Sequence, residues 1–244
     1  MGRAFEFRKG RKMKRWDRMS KDFTRIGREI VMAVKESGPN PDTNSRLRTA
    51  MQNAKGVNMP KDRVEAAIKR ASSKEEKDYQ EVVYEGYAPH GVAIVIETAT
   101  DNPTRTVANV RMYFNRGNGA LGTAGSSDYT FTRKGVFKLA AEGLDLDELE
   151  LELIDAGAED VYADQEEDEH GNVKEYIVVE TAFTDFGQMQ KALEEKQLNV
   201  VSAQLQRVPN TTVHLEGEQL EEVMNLIEKF EEDDDVQAVY HTLG

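Results

Sequence analysis

The order of elements predicted between Val136 and Val208 constrains the fold of this chain more than any other feature. Alternating polarity predicts four strands, and apolar residues at helical spacing predict two helices between them. The order β-α-β-β-α-β is that of the split βαβ, or ferredoxin-like, unit. The predicted strands are Val136–Ala141, Glu159–Asp164, Glu175–Thr181 and Val200–Val208, and the predicted helices are Leu146–Ala156 and Phe186–Gln197.

The elements on both sides of this unit predict a second α+β domain. The three elements that follow residue 209 are too small to bury a stable core alone. We therefore predict a discontinuous middle domain, 79–133 with 209–244, in which 134–208 is inserted; three domains in simple succession are the alternative. Its predicted elements are the strands Glu81–Pro89, Gly91–Thr100, Tyr129–Arg133, Thr211–Leu215 and Val236–Thr242 and the helices Pro103–Arg116 and Glu218–Phe230.

Residues 1–78 predict a basic arm followed by a small domain of three helices, which gives an α+β fold class overall. Residues 1–19 show no sustained apolar period, which indicates an arm that is disordered until it binds a partner. Ser20 is the predicted N-cap of the first helix, which ends at Gly38–Asp42. A second helix follows, and Pro60 suits the first turn of a third.

Charge is segregated along the chain. Residues 1–77 contain 21 Lys/Arg and 10 Asp/Glu, a formal charge of +11, whereas the remainder contains 11 and 35, a formal charge of −24. The net charge of −13 therefore conceals a strongly basic N-terminal region. Such a region is typical of proteins that bind polyanions, because positive potential speeds encounter with phosphate backbones. We expect the acidic remainder to be repelled by the same partner.

The cations of this region predict a nucleic-acid interface. On each helix they lie opposite the apolar stripe, so that the helix can pack inward and present charge outward. Trp16 is placed to stack on a base, and the loop that holds Asn58 is either a contact tip or only a turn. The candidate binding residues are Arg3, Arg8, Lys9, Arg11, Lys12, Lys14, Arg15, Trp16, Arg18, Lys21, Arg25, Arg28, Arg46, Arg48, Lys55, Asn58, Lys61, Arg63, Lys69 and Arg70.

The sequence indicates no catalytic, metal or cofactor site. Gly117–Gly122 matches G-x-G-x-x-G, but a helix precedes it and a strand follows, which is wrong for a dinucleotide site. A glycine-rich turn is favoured there, and a loop whose amides face a phosphate is the alternative. The acidic stretch Asp164–Asn172 lacks the spacing of a calcium loop, and cysteine is absent. We expect no enzyme activity, no cofactor, no small-molecule substrate and no membrane segment.

Several motifs in residues 20–135 resemble the YebC/PmpR family. They are Asn44-Ser45-Arg46-Leu47-Arg48, Asn58-Met59-Pro60-Lys61-Asp62, Ala67-Ile68-Lys69-Arg70, Tyr84–Pro89, Asp101-Asn102 with Arg105–Arg111, Leu121-Gly122 with Gly125-Ser126, and Arg133-Lys134-Gly135. The resemblance implies a helical N-terminal domain followed by two α+β domains. Members of the family are described as DNA-binding transcriptional regulators or as translation factors that meet the ribosome and relieve stalling at proline-rich stretches. Mitochondrial relatives activate translation.

The residues and the resemblance together predict a non-enzymatic regulator of gene expression that acts in the cytoplasm. We favour a translation factor bound to ribosomal RNA, because a disordered basic arm suits insertion into folded RNA and no helix carries a base-reading signature. The alternative is a DNA-binding transcriptional regulator that uses the same cations. No dimer element is recognisable, and we expect a monomer.

Overall fold

The computed structural model describes the backbone of residues 3–73, 78–167 and 172–244, and their side chains from Met19 onward except those of Asp128 and Glu167. Its α-helices are α1 (Arg3–Ser37), α2 (Ser45–Gly56), α3 (Lys61–Ala71), α4 (Pro103–Arg116), α5 (Leu146–Leu153), α6 (Phe186–Glu195) and α7 (Gly217–Glu232). Its strands are β1 (Gln80–Tyr87), β2 (Ala93–Thr100), β3 (Ala120–Leu121), β4 (Phe131–Ala140), β5 (Ala158–Glu167), β6 (Val173–Ala182), β7 (Val200–Pro209) and β8 (Val236–His241).

The chain divides into two compact units. The first unit comprises Met1–Lys74 and Lys134–Leu205, and the second comprises Glu75–Arg133 and Gln206–Gly244. The α+β fold class predicted from the sequence is confirmed, since helices lead into two four-stranded sheets with helices of their own. The domain boundaries drawn from the sequence stay a prediction.

The first unit begins with three helices around a narrow apolar core. α1 contributes Ile30, Val31 and Val34, all of which are buried. α2 and α3 pack against α1 through small and medium apolar side chains, which let the helices approach closely. The buried residues of these two helices are Leu47, Ala50, Ala54, Val64, Ala67 and Ala71.

Asn44 joins the end of α1 to the start of α2. Its side-chain oxygen accepts a hydrogen bond from the backbone N–H of Leu47 at 2.9 Å, which caps α2. Its side-chain amide donates to the carbonyl oxygens of Ala33 at 2.7 Å and Gly38 at 2.8 Å. Because Asn44 is only 2% exposed, these three bonds fix the angle between the two helices away from water.

The prediction of a disordered arm is wrong, because α1 begins at Arg3 and continues through Ser20. Ser20 is an interior residue of the helix, and its carbonyl accepts a hydrogen bond from the hydroxyl of Thr24 at 2.9 Å. Residues 3–19 contain no proline and consist largely of Arg, Lys, Met, Phe and Glu, most of which lose little side-chain freedom in a helix. A missing apolar period therefore indicated only that this stretch has no core-facing stripe.

The rest of the first unit has the predicted ferredoxin-like order. β4 to β7 form a sheet in the order β5-β6-β4-β7, in which β7 lies at one edge. α5 and α6 cover one face of the sheet, where Phe137 and Leu139 of β4 meet Ile177 and Val179 of β6 and Leu193 of α6. Each strand alternates inward and outward residues and each helix has one apolar face, so the local sequence pattern is enough to predict which residues form this core.

The sheet of the second unit has the order β3-β1-β2-β8. α4 and α7 pack on one face, where the rings of Phe114 and Phe230 lie 4.7 Å apart between centroids. β1 and β2 form the predicted hairpin, and its turn holds His90 at φ +64° and Gly91 at φ +79°. β8, from the last part of the chain, pairs with β2, so the sheet combines distant segments.

Two predicted strands differ from the structure. Of the strand expected at Tyr129–Arg133, only the part from Phe131 is extended, and it is the beginning of β4 and not a separate strand. The strand expected at Thr211–Leu215 is reduced to a single bridge between Val213 and Leu243, since only one residue of that segment pairs. The short strand β3 was not predicted, because two residues in a glycine-rich run show no alternation.

Candidate nucleic-acid interface

Exposed cations lie at the turn between α2 and α3 and along α3. Lys55 is near the end of α2, and Lys61, Arg63 and Lys69 lie on α3; all four are exposed. The side chain of Lys61 is 91% exposed, and its ion pair with Glu65 at 3.6 Å is open to solvent and contributes little. These side chains can therefore reach phosphate oxygens without breaking a buried contact.

The α2–α3 turn is closed by its own backbone. Asn58 has φ +56°, and its N–H donates to the carbonyl of Lys55 at 3.0 Å. The N–H of Met59 donates to the carbonyl of Ala54 at 2.8 Å, which completes a Schellman-type helix end. The turn is thus a fixed connection that also leaves the Asn58 side chain exposed, and its role in binding stays a prediction.

Phe23 on α1 packs against a cation of α3. The guanidinium carbon of Arg63 lies 5.6 Å from the centroid of the Phe23 ring, within the range of a cation–π interaction. Phe23 is half-buried in the helical core, and Arg63 covers part of it. Arg63 therefore serves packing and can still present charge at its outer edge.

Arg46, a predicted binding residue, is held by two carboxylates of α1. Its Nε lies 2.7 Å from Glu29 and its Nη1 lies 3.0 Å from Glu36. The guanidinium spans the end of α1 and the start of α2, beside the bonds made by Asn44. The structure gives Arg46 a role in holding the helices together, which the sequence pattern did not reveal.

Arg48 is engaged in the same unit, although it too was predicted to bind nucleic acid. Its Nη1 donates to the carbonyl of Pro41 at 3.0 Å. Its Nε lies 3.3 Å from a carboxylate oxygen of Glu194 on α6. That Nε is buried and has no hydrogen-bond partner among the described residues, so the contact with Glu194 is Coulombic rather than directional.

The other predicted contacts lie mainly on α1. Lys21, Arg25 and Arg28 are half-buried, and Arg70 at the end of α3 is exposed. Nine further candidates have a helical backbone, but their side chains lie outside the described part of the chain. They are Arg3, Arg8, Lys9, Arg11, Lys12, Lys14, Arg15, Trp16 and Arg18.

 The nine positions between Arg3 and Arg18 therefore stay a prediction as side-chain contacts.

The loop that follows the glycine-rich run is closed around a buried carboxylate. Glu85 of β1 is 7% exposed and accepts hydrogen bonds from the N–H groups of Gly125 at 2.8 Å and Ser127 at 2.7 Å, and from the Ser127 hydroxyl at 2.7 Å. Burial by itself raises the pKa of Glu85, but these donors outweigh it and hold the pKa below its usual value. Within the run itself, the N–H groups of Gly117, Gly119 and Gly122 donate to the backbone carbonyls of Tyr113, Phe114 and Glu85, which favours the glycine-rich turn over a phosphate loop.

Asp235, just before β8, anchors α4 in the second unit. It is 3% exposed and accepts hydrogen bonds from Arg105 at 2.7 Å, Thr106 at 2.8 Å and Thr100 at 3.1 Å. Burial raises the pKa of Asp235, but the bonds and the charge of Arg105 outweigh it and lower the pKa overall. Asn102 caps α4 by accepting from the Arg105 N–H at 3.1 Å. The motif of Asp101-Asn102 with Arg105–Arg111 therefore stabilises the fold. Nothing local in the sequence identified Asp235 as its partner.

No group of three or more metal-binding side chains occurs in the part of the chain that the structure describes. The tip of the acidic hairpin, 168–171, lies outside the described residues. Among the helices that are described, none has the length and apolar character needed to cross a bilayer.

Family models match almost the whole chain. The model described as the TACO1/YebC protein N-terminal domain matches residues 3–74, and the model described as the TACO1/YebC second and third domain matches residues 79–243. These two matches cover well over half of the chain and agree with the family resemblance drawn from its motifs.

Relatives and a solved structure match over nearly their full length. Proteins named "Probable transcriptional regulatory protein" are 60% identical in Cytophaga hutchinsonii, 58% in Flavobacterium johnsoniae and 54% in Myxococcus xanthus. Each match covers 100% of this chain, and 99%, 99% and 100% of the respective relative. The crystal structure of a conserved hypothetical protein from Aquifex aeolicus is 36% identical, with a TM-score of 0.78, and the match covers 92% of this chain and 90% of that one.

Proposed function

We propose that this chain, which belongs to the TACO1/YebC family, is a non-enzymatic regulator of gene expression that binds nucleic acid through its N-terminal helices. The observation that carries the proposal is the basic region of +11, whose lysines at the α2–α3 turn and on α3 face solvent. The names of its relatives support a regulatory role. A phosphate backbone is the polyanion that this region would meet in either partner, ribosomal RNA or duplex DNA.

We assign the first contacts to Lys55, Lys61 and Lys69, because none of them has to leave a buried site to bind. The cations of α1 extend this surface, and Arg63 and Arg70 border it on α3. Arg46 and Arg48 keep α1, α2 and α6 in place and support the surface indirectly. About six phosphate contacts would make the affinity fall by orders of magnitude between low and physiological salt.

Our favoured form of this function is a cytoplasmic translation factor that binds ribosomal RNA and relieves stalling. Its support is the family resemblance together with the absence of a base-reading signature on α2 and α3. The acidic regions of the chain would keep the protein from coating RNA indiscriminately, since they repel phosphates outside the basic surface.

The continuous α1 supports the DNA-binding alternative. A helix of 35 residues is about 52 Å long at roughly 1.5 Å per residue, and a basic helix of that kind fits the major groove of duplex DNA. The major groove of duplex RNA is too narrow to admit side chains in the same way. The argument for RNA that rested on a disordered arm no longer holds.

Sedimentation of the full-length protein separates the two forms. A lysate is fractionated on sucrose gradients at low and high salt, and the purified protein is titrated in parallel with duplex DNA. Salt-sensitive migration with ribosomes is the expected result. Sequence-selective duplex binding without ribosome association would instead establish the DNA-binding alternative.

A pair of triple variants tests the surface itself. The combination of Lys55→Glu, Lys61→Glu and Lys69→Glu should weaken binding by about 100-fold or more, since three phosphate contacts become repulsive. The matched control replaces three exposed lysines of the acidic regions, Lys174→Glu, Lys191→Glu and Lys229→Glu, and changes the net charge equally. Equal losses in both variants would show that net charge, and not this surface, controls binding.

A further inference from the structure

α2 makes a specific contact with the sheet edge of its own unit. The side chain of Asn53 accepts a hydrogen bond from the N–H of Ala203 at 2.8 Å and donates to the carbonyl of Ala203 at 2.9 Å. Because β7 is an edge strand, these two bonds replace those that a neighbouring strand would make. Ala203 is 1% exposed, so the pair is sealed from water.

Two further residues of α2 continue this contact along one face of the helix. Gln190 of α6, 5% exposed, donates to the hydroxyl of Thr49 at 2.9 Å, and that hydroxyl donates to the carbonyl of Ser45 at 3.0 Å. At Gly56, a Cβ atom would overlap the carbonyl oxygen of Val201 on β7. We call Thr49, Asn53 and Gly56, with their partners Gln190, Ala203 and Val201, the α2 joint.

The α2 joint holds together two parts of strongly opposite charge. Residues 1–74 contain 20 Lys/Arg and 8 Asp/Glu, a formal charge of +12, whereas 134–205 contain 5 and 19, a formal charge of −14. The joint itself is made of neutral hydrogen bonds and close packing, and the Arg48–Glu194 pair beside it is ionic. The attachment therefore leaves Lys55, Lys61 and Lys69 exposed while it fixes an acidic body beside them.

We propose that the α2 joint positions residues 134–205 as an electrostatic guard for the basic helices. A fixed acidic body repels nucleic acid from the directions that it faces, within a Debye length of about 10 Å at 0.1 M salt. The guard thereby limits non-specific binding and leaves the exposed lysines as the contact surface. This role rests on the proposed function, whereas the rigidity of the joint does not.

The first experiment measures the joint without nucleic acid. The chain lacks cysteine, so Ala66→Cys on α3 and Lys191→Cys on α6, both exposed, can carry spin labels in the full-length protein. A narrow distance distribution is expected for this protein, and a broad one after Asn53→Ala with Gly56→Ala. An equally narrow distribution in the variant would overturn the joint as the element that fixes the two parts.

Matched controls distinguish the joint from general loss of structure. Gly27→Ala changes a helical glycine with no atom within 4 Å of the added carbon, and Asn199→Ala removes an exposed asparagine side chain. The control pair should keep the narrow distribution. Far-UV circular dichroism of both double variants shows whether they are folded, and Asn53→Ala alone serves if the double variant is not.

The second experiment measures affinity for random-sequence RNA and duplex DNA at 0.1 M salt. The joint variant should bind both about tenfold more tightly than the control pair, because repulsion by residues 134–205 would be relieved and about one more phosphate contact could form. Unchanged or weaker binding with a broadened distance distribution would overturn the guard role. Absence of binding by every protein would overturn the proposed function, while the distance measurement would still report on the joint.

Discussion

The N-terminal helices and the second unit use charged residues in opposite ways. In the second unit, Glu85 and Asp235 are buried and their oxygens accept hydrogen bonds from loop amides, hydroxyls and Arg105. On α3 and its preceding turn, Lys61 and Lys69 extend into solvent. The comparison teaches that these two buried charges are fully paired and build the fold, whereas the charges of the proposed binding surface are left open to solvent.

The largest expected effect is on the buried side of this comparison. Asp235→Ala should lower the free energy of unfolding by about 3 kcal/mol, mainly because the buried hydroxyls of Thr100 and Thr106 would lose an acceptor, with a smaller loss from the half-exposed Arg105. Urea denaturation followed by circular dichroism measures the change. Asp42→Ala, at an exposed aspartate between α1 and α2, is the control and should change it by about 0.5 kcal/mol or less. Similar values for the two would mean that Asp235 does not anchor α4.

A smaller loss is expected at Glu85. Glu85→Gln keeps the shape but places an N–H₂ group against the donors of Gly125 and Ser127, which should cost about 2 kcal/mol. Glu81→Gln, exposed on the same strand, provides the comparison in the same denaturation assay. If both variants are equally stable, the carboxylate does not close the loop that follows the glycine-rich run.

Acid should weaken the protein through the same two carboxylates. The pKa values of Glu85 and Asp235 are lowered from 4.5 and 3.8, so their contribution to stability is complete above these values and is lost as the pH falls through the lower, folded values. Denaturation midpoints between pH 7 and pH 3 should fall less steeply for Asp235→Asn than for the unaltered chain. Parallel profiles would contradict the lowered pKa of Asp235.

The smallest effects separate two cations of the N-terminal helices. Arg46→Met should reduce stability by about 1 kcal/mol, since it removes the pairs with Glu29 and Glu36, and should change nucleic-acid affinity little. Lys61→Met should do the reverse, with a stability change below about 0.5 kcal/mol and an affinity loss of several-fold. Thermal unfolding and fluorescence anisotropy on the same samples measure both quantities. Equal affinity losses would place Arg46 back in the interface.

The sequence predicted elements whose patterns are local, such as β4 to β7 and the β1–β2 hairpin. The prediction was wrong where the sequence has no apolar periodicity. Residues 3–19 lack an apolar stripe, so Ser20 was interpreted as an N-cap although the helix begins at Arg3. For the candidate site, composition located the basic region, but Arg46 was assigned to binding because Glu29 and Glu36 lie 17 and 10 residues away. Asn53 was missed for the same reason, since its partner Ala203 is 150 residues distant.

The carboxylate of Glu85 has a consequence for small anions. In nucleotide-binding proteins, the N–H groups of a glycine-rich loop are open to a phosphate. In this chain, the N–H groups of Gly125 and Ser127 are bound by the carboxylate of Glu85, which is part of β1. A free phosphate would have to displace a negative group that cannot diffuse away, at an entropic disadvantage and against its repulsion. We therefore expect phosphate groups to compete poorly with Glu85 for the N–H groups of Gly125 and Ser127.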